Sequence, residues 1–173
     1  MAGQFQAKKK KVKDSKMNFT IHEMKPSDYK LPENFLYEAI FVPEGVEPPP
    51  GDIIKKPDLQ VYIEDFGKRS GDYCLCAESE GKIIGAVWVR LMKDYGYVDD
   101  ETPSFAISLY KPYRGHGIGT QLMEKMLELL RVNGYKQASL AVQKANYAFR
   151  MYKKIGFVTV DENEEEYIMT YKL

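Results

Sequence analysis

The stretch of this chain best suited to chemistry is Arg114-Gly115-His116-Gly117-Ile118-Gly119, set between an alternating apolar run and an amphipathic one. Glycines at a strand-to-helix junction let backbone N–H groups come close to an anion. The helix start adds unpaired donors and the positive end of a dipole, so a pyrophosphate is the natural guest. Arg114 adds charge there. Two familiar phosphate signatures do not fit. The third glycine of GxGxxG would fall at Thr120, no acidic residue closes the next strand to hold a ribose, and the GK[ST] of a P-loop is missing. His116 either assists phosphate binding or simply turns to water.

Cys74 and Cys76 are the only cysteines. At i, i+2 on a strand they point to one face, where a direct disulfide is awkward, and two small core residues are expected. A structural zinc would want four ligands. His22 and His116 have neither the spacing nor the company, so no metal is expected. His22 falls on the polar register of its strand and reads as exposed.

The elements that must position the glycine turn follow from periodicity. Residues 18–24 alternate as a strand, and residues 33–41 carry Phe35, Leu36, Ala39 and Ile40 at helical spacing. Residues 42–56, with four prolines and two glycines, form a loop. Pro57-Asp58 then opens a short helix with Leu59, Tyr62, Ile63 and Phe66 on one face. A hairpin over 73–78 and 82–92 turns at Gly81, and 104–110 is a third sheet strand. An amphipathic helix over 119–133 ends at Gly134. A strand over 137–142, a helix over 145–154 stopped by Gly156, and strands over 157–160 and 167–172 complete a mixed α/β chain.

Composition bounds what such a chain does. The 173 residues, 44% apolar and 29% charged, suit one globular domain over 17–173 with a real core. The longest apolar run, Ile83 to Val89, is far short of the roughly 18 residues of a bilayer span, so no membrane partner is expected. Residues 1–16 carry six lysines and no apolar h-region. They read as a solvated arm or a non-native extension rather than a secretory signal, and a cytoplasmic protein is expected. The arm holds six of the 25 basic residues and one of the 25 acidic ones, which leaves an acidic body. Nucleic acid is a poor partner for it.

The residues Arg114, Gly117 and Gly119 fill the pattern R/QxxGxG/A, and Asn146-Tyr147-Ala148-Phe149-Arg150-Met151-Tyr152 leads to Ile155-Gly156-Phe157. Together they resemble the GNAT superfamily of acyl-CoA-dependent N-acyltransferases, from about Phe19 to the C-terminus. Pro112 sits one residue nearer Arg114 than is common there. The resemblance implies a mixed, mostly antiparallel twisted sheet of six to seven strands flanked by about four helices. It implies acetyl-CoA as cosubstrate, bound by Leu109, Tyr110, Arg114, Gly115, His116, Gly117, Ile118, Gly119, Thr120, Asn146 and Tyr152. It implies direct attack of a primary amine on the thioester in a ternary complex, with no acyl-enzyme. The Leu109 N–H would steady the oxyanion, where losing such a donor typically costs about 2.7 to 4 kcal/mol. Tyr152 would return a proton to the departing thiolate.

The strand 104–110 carries no carboxylate, so the proton acceptor must come from elsewhere. Asp99, Asp100 and Glu101 are nearest in sequence, and they read either as that acceptor, with Glu101 chosen, or as a solvated turn before Pro103. Glu64 is a weaker candidate. Trp88 either fills the core or lines the acceptor groove. The run Asp161 to Glu166, five acids in six positions, either draws a cationic amine or is a solvated turn. The acceptor, a small molecule or a peptide amine, is not fixed by sequence, and a homodimer stays open. The rival from another class is a non-catalytic acyl-CoA-binding sensor.

Overall fold

The computed structural model describes residues 16–173, so the lysine-rich arm lies, apart from Lys16, outside the described residues. Seven strands, β1 (Thr20–Glu23), β2 (Tyr73–Ser79), β3 (Lys82–Arg90), β4 (Ser104–Leu109), β5 (Gln137–Gln143), β6 (Val158–Glu162) and β7 (Glu166–Lys172), form one sheet. Their order is β1-β2-β3-β4-β5-β7-β6. Every neighbouring pair is antiparallel except β4 with β5, which run parallel. The helices are α1 (Leu31–Ala39), α2 (Pro57–Gln60), α3 (Ile118–Val132) and α4 (Ala148–Ile155). No described helix is long and apolar enough to cross a membrane.

Strand alternation sends side chains to two faces, and each face is covered by its own helices. Leu75, Val87, Val89, Phe105, Ala138, Leu140 and Met169 meet Leu122, Met123, Met126 and Leu130 of α3 and Tyr152 of α4. On the opposite face Cys74, Cys76, Ala86, Trp88 and Ala106 meet Phe35 and Leu36 of α1 and Tyr62 and Ile63 beyond α2. Both cysteines are free and buried, and Trp88 is a core residue. His22 departs from the expectation of an exposed side chain. It is half-buried, with Nε2 2.9 Å from Glu78 Oε2 and its ring beside Cys76, because β1 lays it directly across from Cys76.

The helix expected to carry Leu59 through Phe66 stops after one turn. Side chains from β3 take the carbonyls that would have continued it. Arg90 Nη1 donates to Val61 O at 3.0 Å and to Glu64 O at 2.9 Å, and Trp88 Nε1 donates to Tyr62 O at 3.0 Å. Asp65 then adopts φ 51°. The rest of the Arg90 guanidinium forks onto Asp72, with both side chains essentially fully buried. This charged clamp fastens residues 61–66 to the sheet.

Candidate active site

The parallel pairing of β4 and β5 sets the site. Their register is limited to Ser104 opposite Ser139, with Ser139 N–H donating to Pro103 O at 3.0 Å. Beyond that pair the strands part, leaving a wedge-shaped cleft toward their C-terminal ends. Tyr110 N–H donates to Ile84 O across β3 at 3.0 Å. Amides alternate sides along a strand, so those of Ile107 and Leu109 face away from β3, into the cleft. Leu109 was expected as a donor. Ile107 was missed, although the same two-residue alternation in the sequence points to it. Tyr110 has its amide engaged, and its ring packs on Phe35 with centroids 5.0 Å apart.

The glycine turn closes the open end of the cleft. Gly115 and Gly117 take φ of 77° and 78°, left-handed values that disfavour a side chain, and a Cβ built on either would meet open space. Gly117 immediately precedes α3, and the amides of Ile118, Gly119 and Thr120 form its first turn, where no preceding carbonyl is in reach. Gly119 packs tightly, its notional Cβ 3.4 Å from Leu109 and 3.6 Å from Met151, which brings α3 down onto β4 and α4. His116 is exposed. Arg114 turns inward instead: Nε donates to Leu109 O at 2.8 Å, and Nη2 lies 3.1 Å from Glu38 Oε2. It ties the end of β4 to α1, so the anion-binding character of the turn rests on backbone donors and the α3 dipole.

Asn146 and Tyr152 come from the segment after β5. Asn146 Oδ1 accepts the N–H of Ala148 at 2.9 Å, and α4 starts at Ala148, later than the expected residue 145. Tyr152 is buried within the α3/α4 layer, its ring edge-on to Phe157. Burial pushes its phenol pKa up, so it stays protonated through neutral pH. An open-amide strand edge and a glycine turn leading into α3 thus border one cleft, with the buried phenol of Tyr152 in the adjoining α3/α4 layer. A nucleotide-bearing thioester fits that combination: pyrophosphate at the turn, amide-rich arm along β4.

Comparison with known proteins agrees with this geometry. The model of the acetyltransferase (GNAT) family matches residues 38–157, well over half the chain. The chain belongs to the GNAT family. It is 26% identical over 107 residues to human N-acetyltransferase 8B, covering 61% of this chain and 47% of that protein. It is 35% identical over 68 residues to the [ribosomal protein bS18]-alanine N-acetyltransferase of Haemophilus influenzae, covering 39% of this chain and 47% of the relative. The match thus spans about half the length of these two curated relatives. Among solved structures, a GNAT acetyltransferase from Streptococcus pneumoniae superposes with TM-score 0.66 at 22% identity, covering 90% of this chain and all of that one. The PaiA N-acetyltransferase of Thermoplasma acidophilum, solved in complex with coenzyme A, gives 0.66 at 19% identity, covering 91% and 100%. The GNAT fold is shared throughout.

In this GNAT chain the candidate carboxylates differ in exposure and in partners. Glu101 is exposed, with its N–H donating to Asp99 Oδ1, while Asp100 accepts from the Tyr97 hydroxyl. Asp99 also receives Gln137, so residues 99–101 form a turn network at the N-terminal end of the cleft. Glu64 is exposed as well. Asp94 stands apart. Its Oδ2 accepts the Ser104 hydroxyl at 2.6 Å, and its Oδ1 is buried without a partner. The buried Tyr62 turns its hydroxyl toward it, and burial pushes the carboxyl pKa up against these donors. Gly96 lies over β5, where a Cβ would come within 2.9 Å of Ala141 N. That close approach wedges Asp94 into the foot of the cleft. Sequence reading missed Asp94 because its contacts come from Tyr62 and Ser104, distant along the chain.

Proposed function

We propose that this protein transfers an acetyl group from acetyl-CoA to a primary amine, by direct attack within a ternary complex. The observation that carries the reading is the β4–β5 wedge, with the Ile107 and Leu109 amides open along it and the glycine turn at its mouth. Acetyl-CoA supplies the activated acyl group. The first-turn amides of α3 and those of the turn, from Gly115 through Thr120, receive the pyrophosphate, and the amide NH2 of Asn146 steadies the pantetheine arm. The Leu109 and Ile107 amides pair with that arm and with the thioester carbonyl, where charge builds as the amine attacks.

Tyr152 stays neutral through physiological pH and donates its phenol proton to the thiolate as it leaves. Proton removal from the amine falls to Asp94 rather than Glu101. Asp94 lies beside Ser104, three residues or about 10 Å along β4 from Ile107. The proton reaches it through the Tyr62 hydroxyl, since that span exceeds a hydrogen bond and the carboxyl is buried. Oδ1, the oxygen that does not accept Ser104, is the atom that receives it.

The experiment is thiol release from acetyl-CoA over a panel of amines, with native protein and Tyr152→Phe. Native protein is expected to release thiol only when amine is present. Tyr152→Phe is expected to bind acetyl-CoA as before and lose at least tenfold in kcat. Acetyl-CoA binding with no release from any amine would instead favour the sensor reading.

A further inference from the structure

Leu109 is held at its carbonyl, at its side chain and through the residue before it. Strand alternation points its carbonyl the same way as its amide, away from β3. The short turn Lys111–Tyr113 folds the chain back, and Arg114 Nε donates to that carbonyl at 2.8 Å. The guanidinium thus takes the acceptor that a neighbouring strand would have used and leaves the Leu109 N–H to a ligand. The side chain is wedged as well. A Cβ built on Gly85 would lie 2.8 Å from Leu109 Cγ and Cδ2 and 3.0 Å from Ser108 O, and one on Gly119 would lie 3.4 Å from Leu109 Cδ1.

Two residues of α1, one helical turn apart, anchor this arrangement. Phe35 O accepts the buried Ser108 hydroxyl at 2.6 Å. Glu38 receives Arg114 Nη2 twice, at its carbonyl, 3.2 Å away, and at Oε2, 3.1 Å away. That carbonyl belongs to the last turn of α1, where no following helical N–H reaches it, so the cation also meets the negative end of the helix dipole. The Arg114 and Glu38 side chains are only 33% and 24% exposed, so this charge-assisted pair is screened less than a surface one. The Leu109 amide lies in the peptide between the two anchors, with Ser108 on one side and the Leu109 carbonyl on the other.

We infer that Glu38 is a positioning residue for acetyl transfer, which holds Arg114 on the Leu109 carbonyl and so fixes where the Leu109 N–H points. The inference deepens the acetyl-transfer reading and rests on it. Arg114 acts here as a strut between α1 and the end of β4, not as a phosphate ligand. A donor to a developing oxyanion is effective when it is aimed before the charge appears, and a hydrogen bond weakens steeply as it is misdirected. Loosening the strut therefore costs turnover. Binding of the nucleotide, which rests on the backbone donors of the glycine turn and of α3, is left in place.

The test measures kcat for thiol release, and by calorimetry the Kd of acetyl-CoA and of acetyl-pantetheine, in native protein, Glu38→Ala, Glu38→Gln, Arg114→Gln and the double variant Glu38→Ala/Arg114→Gln. Glu38→Ala is expected to lower kcat about tenfold, short of the roughly 100- to 1,000-fold of an oxyanion donor removed outright. Glu38→Gln, which keeps an oxygen for Arg114 Nη2, should recover most of that loss. Arg114→Gln should lose at least as much as Glu38→Ala, and the double variant no more than Arg114→Gln alone, since one residue acts through the other. Acetyl-CoA should bind every variant within about fivefold of native and keep its lead over acetyl-pantetheine, because the pyrophosphate rests on backbone donors. If Arg114→Gln fails to fold, the two Glu38 variants decide. A kcat for Glu38→Ala within threefold of native, or losses that multiply in the double variant, overturns the positioning role while leaving acetyl transfer standing. So does a hundredfold loss of acetyl-CoA affinity in Arg114→Gln with acetyl-pantetheine unaffected, which would make Arg114 a phosphate ligand. No thiol release by native protein with any amine overturns the transfer reading and the positioning role with it.

Discussion

Replacing Asp94 with asparagine separates stability from chemistry at a single atom pair. The asparagine keeps the shape and an oxygen to accept the Ser104 hydroxyl, and it removes only the charge and the basic Oδ1. An amine with pKa about 10.4 is neutral in about one part in 2,500 at pH 7, a deficit of about 4.6 kcal/mol that a positioned base offsets in part. General bases are typically worth about 100- to 10,000-fold, so Asp94→Asn is expected to lower kcat/KM by that range at pH 7. The native rate should fall on the acid side as Asp94 protonates, at a pH above the usual aspartate value because burial raises its pKa. The variant's rate should instead climb with pH until the amine deprotonates unaided, and meet the native rate near pH 10. Stability moves the other way. With the folded pKa above the unfolded one, the folded state binds more protons in between, so Asp94 loses stability as pH rises through that interval and carries the full penalty above it. Asparagine removes this penalty, and the thermal midpoint at pH 8 is expected to hold or rise. Thiol release and thermal melts across pH 5 to 10 read both quantities. A kcat/KM within threefold of native at pH 7, or a rate loss accompanied by lost acetyl-CoA binding, refutes the assignment.

Two further substitutions probe how the cleft is held. Arg90→Ala leaves the Asp72 carboxylate buried and uncompensated and frees the Val61 and Glu64 carbonyls, so denaturant unfolding should show a loss of about 3 to 5 kcal/mol. A loss under about 1 kcal/mol would mean the clamp is not what fastens residues 61–66. Gly96→Ala drives a Cβ to 2.7 Å from Ser104 Oγ and 2.9 Å from the Leu140 and Ala141 backbone. It should cost about 1 to 3 kcal/mol and depress turnover by shifting Asp94, while acetyl-CoA binding holds; unchanged kinetics would argue against Asp94.

Much of this was legible from residue spacing alone. The alternation over 104–110 gave β4, and Arg114, Gly117 and Gly119 marked the turn that leads into α3. Local signals carry such elements, because glycine conformation and apolar periodicity act within a few residues. What escaped was decided by contacts across the sheet. The turn after α2 follows from Arg90 and Trp88 reaching back by 26 to 29 residues to claim carbonyls. His22 is half-buried because β1 sets it against Cys76, a pairing that strand alternation alone does not reveal. Asp94 sat in a polar stretch that reads as a break between strands. Its significance comes from Ser104, Tyr62 and the glycine contact of Gly96 with β5. Arg114, a natural phosphate ligand by residue type, is drawn instead to Leu109 O and Glu38.

The measurement closest to the central claim is a calorimetric titration of the protein with acetyl-CoA and, separately, with acetyl-pantetheine, which keeps the thioester arm and lacks the pyrophosphate. With the turn and α3 start as the anion site and β4 as the arm's partner, acetyl-CoA should bind with one site per chain and acetyl-pantetheine at least a hundredfold more weakly. Equal affinity for the two would contradict the pyrophosphate turn, and no heat with acetyl-CoA would contradict the cleft itself.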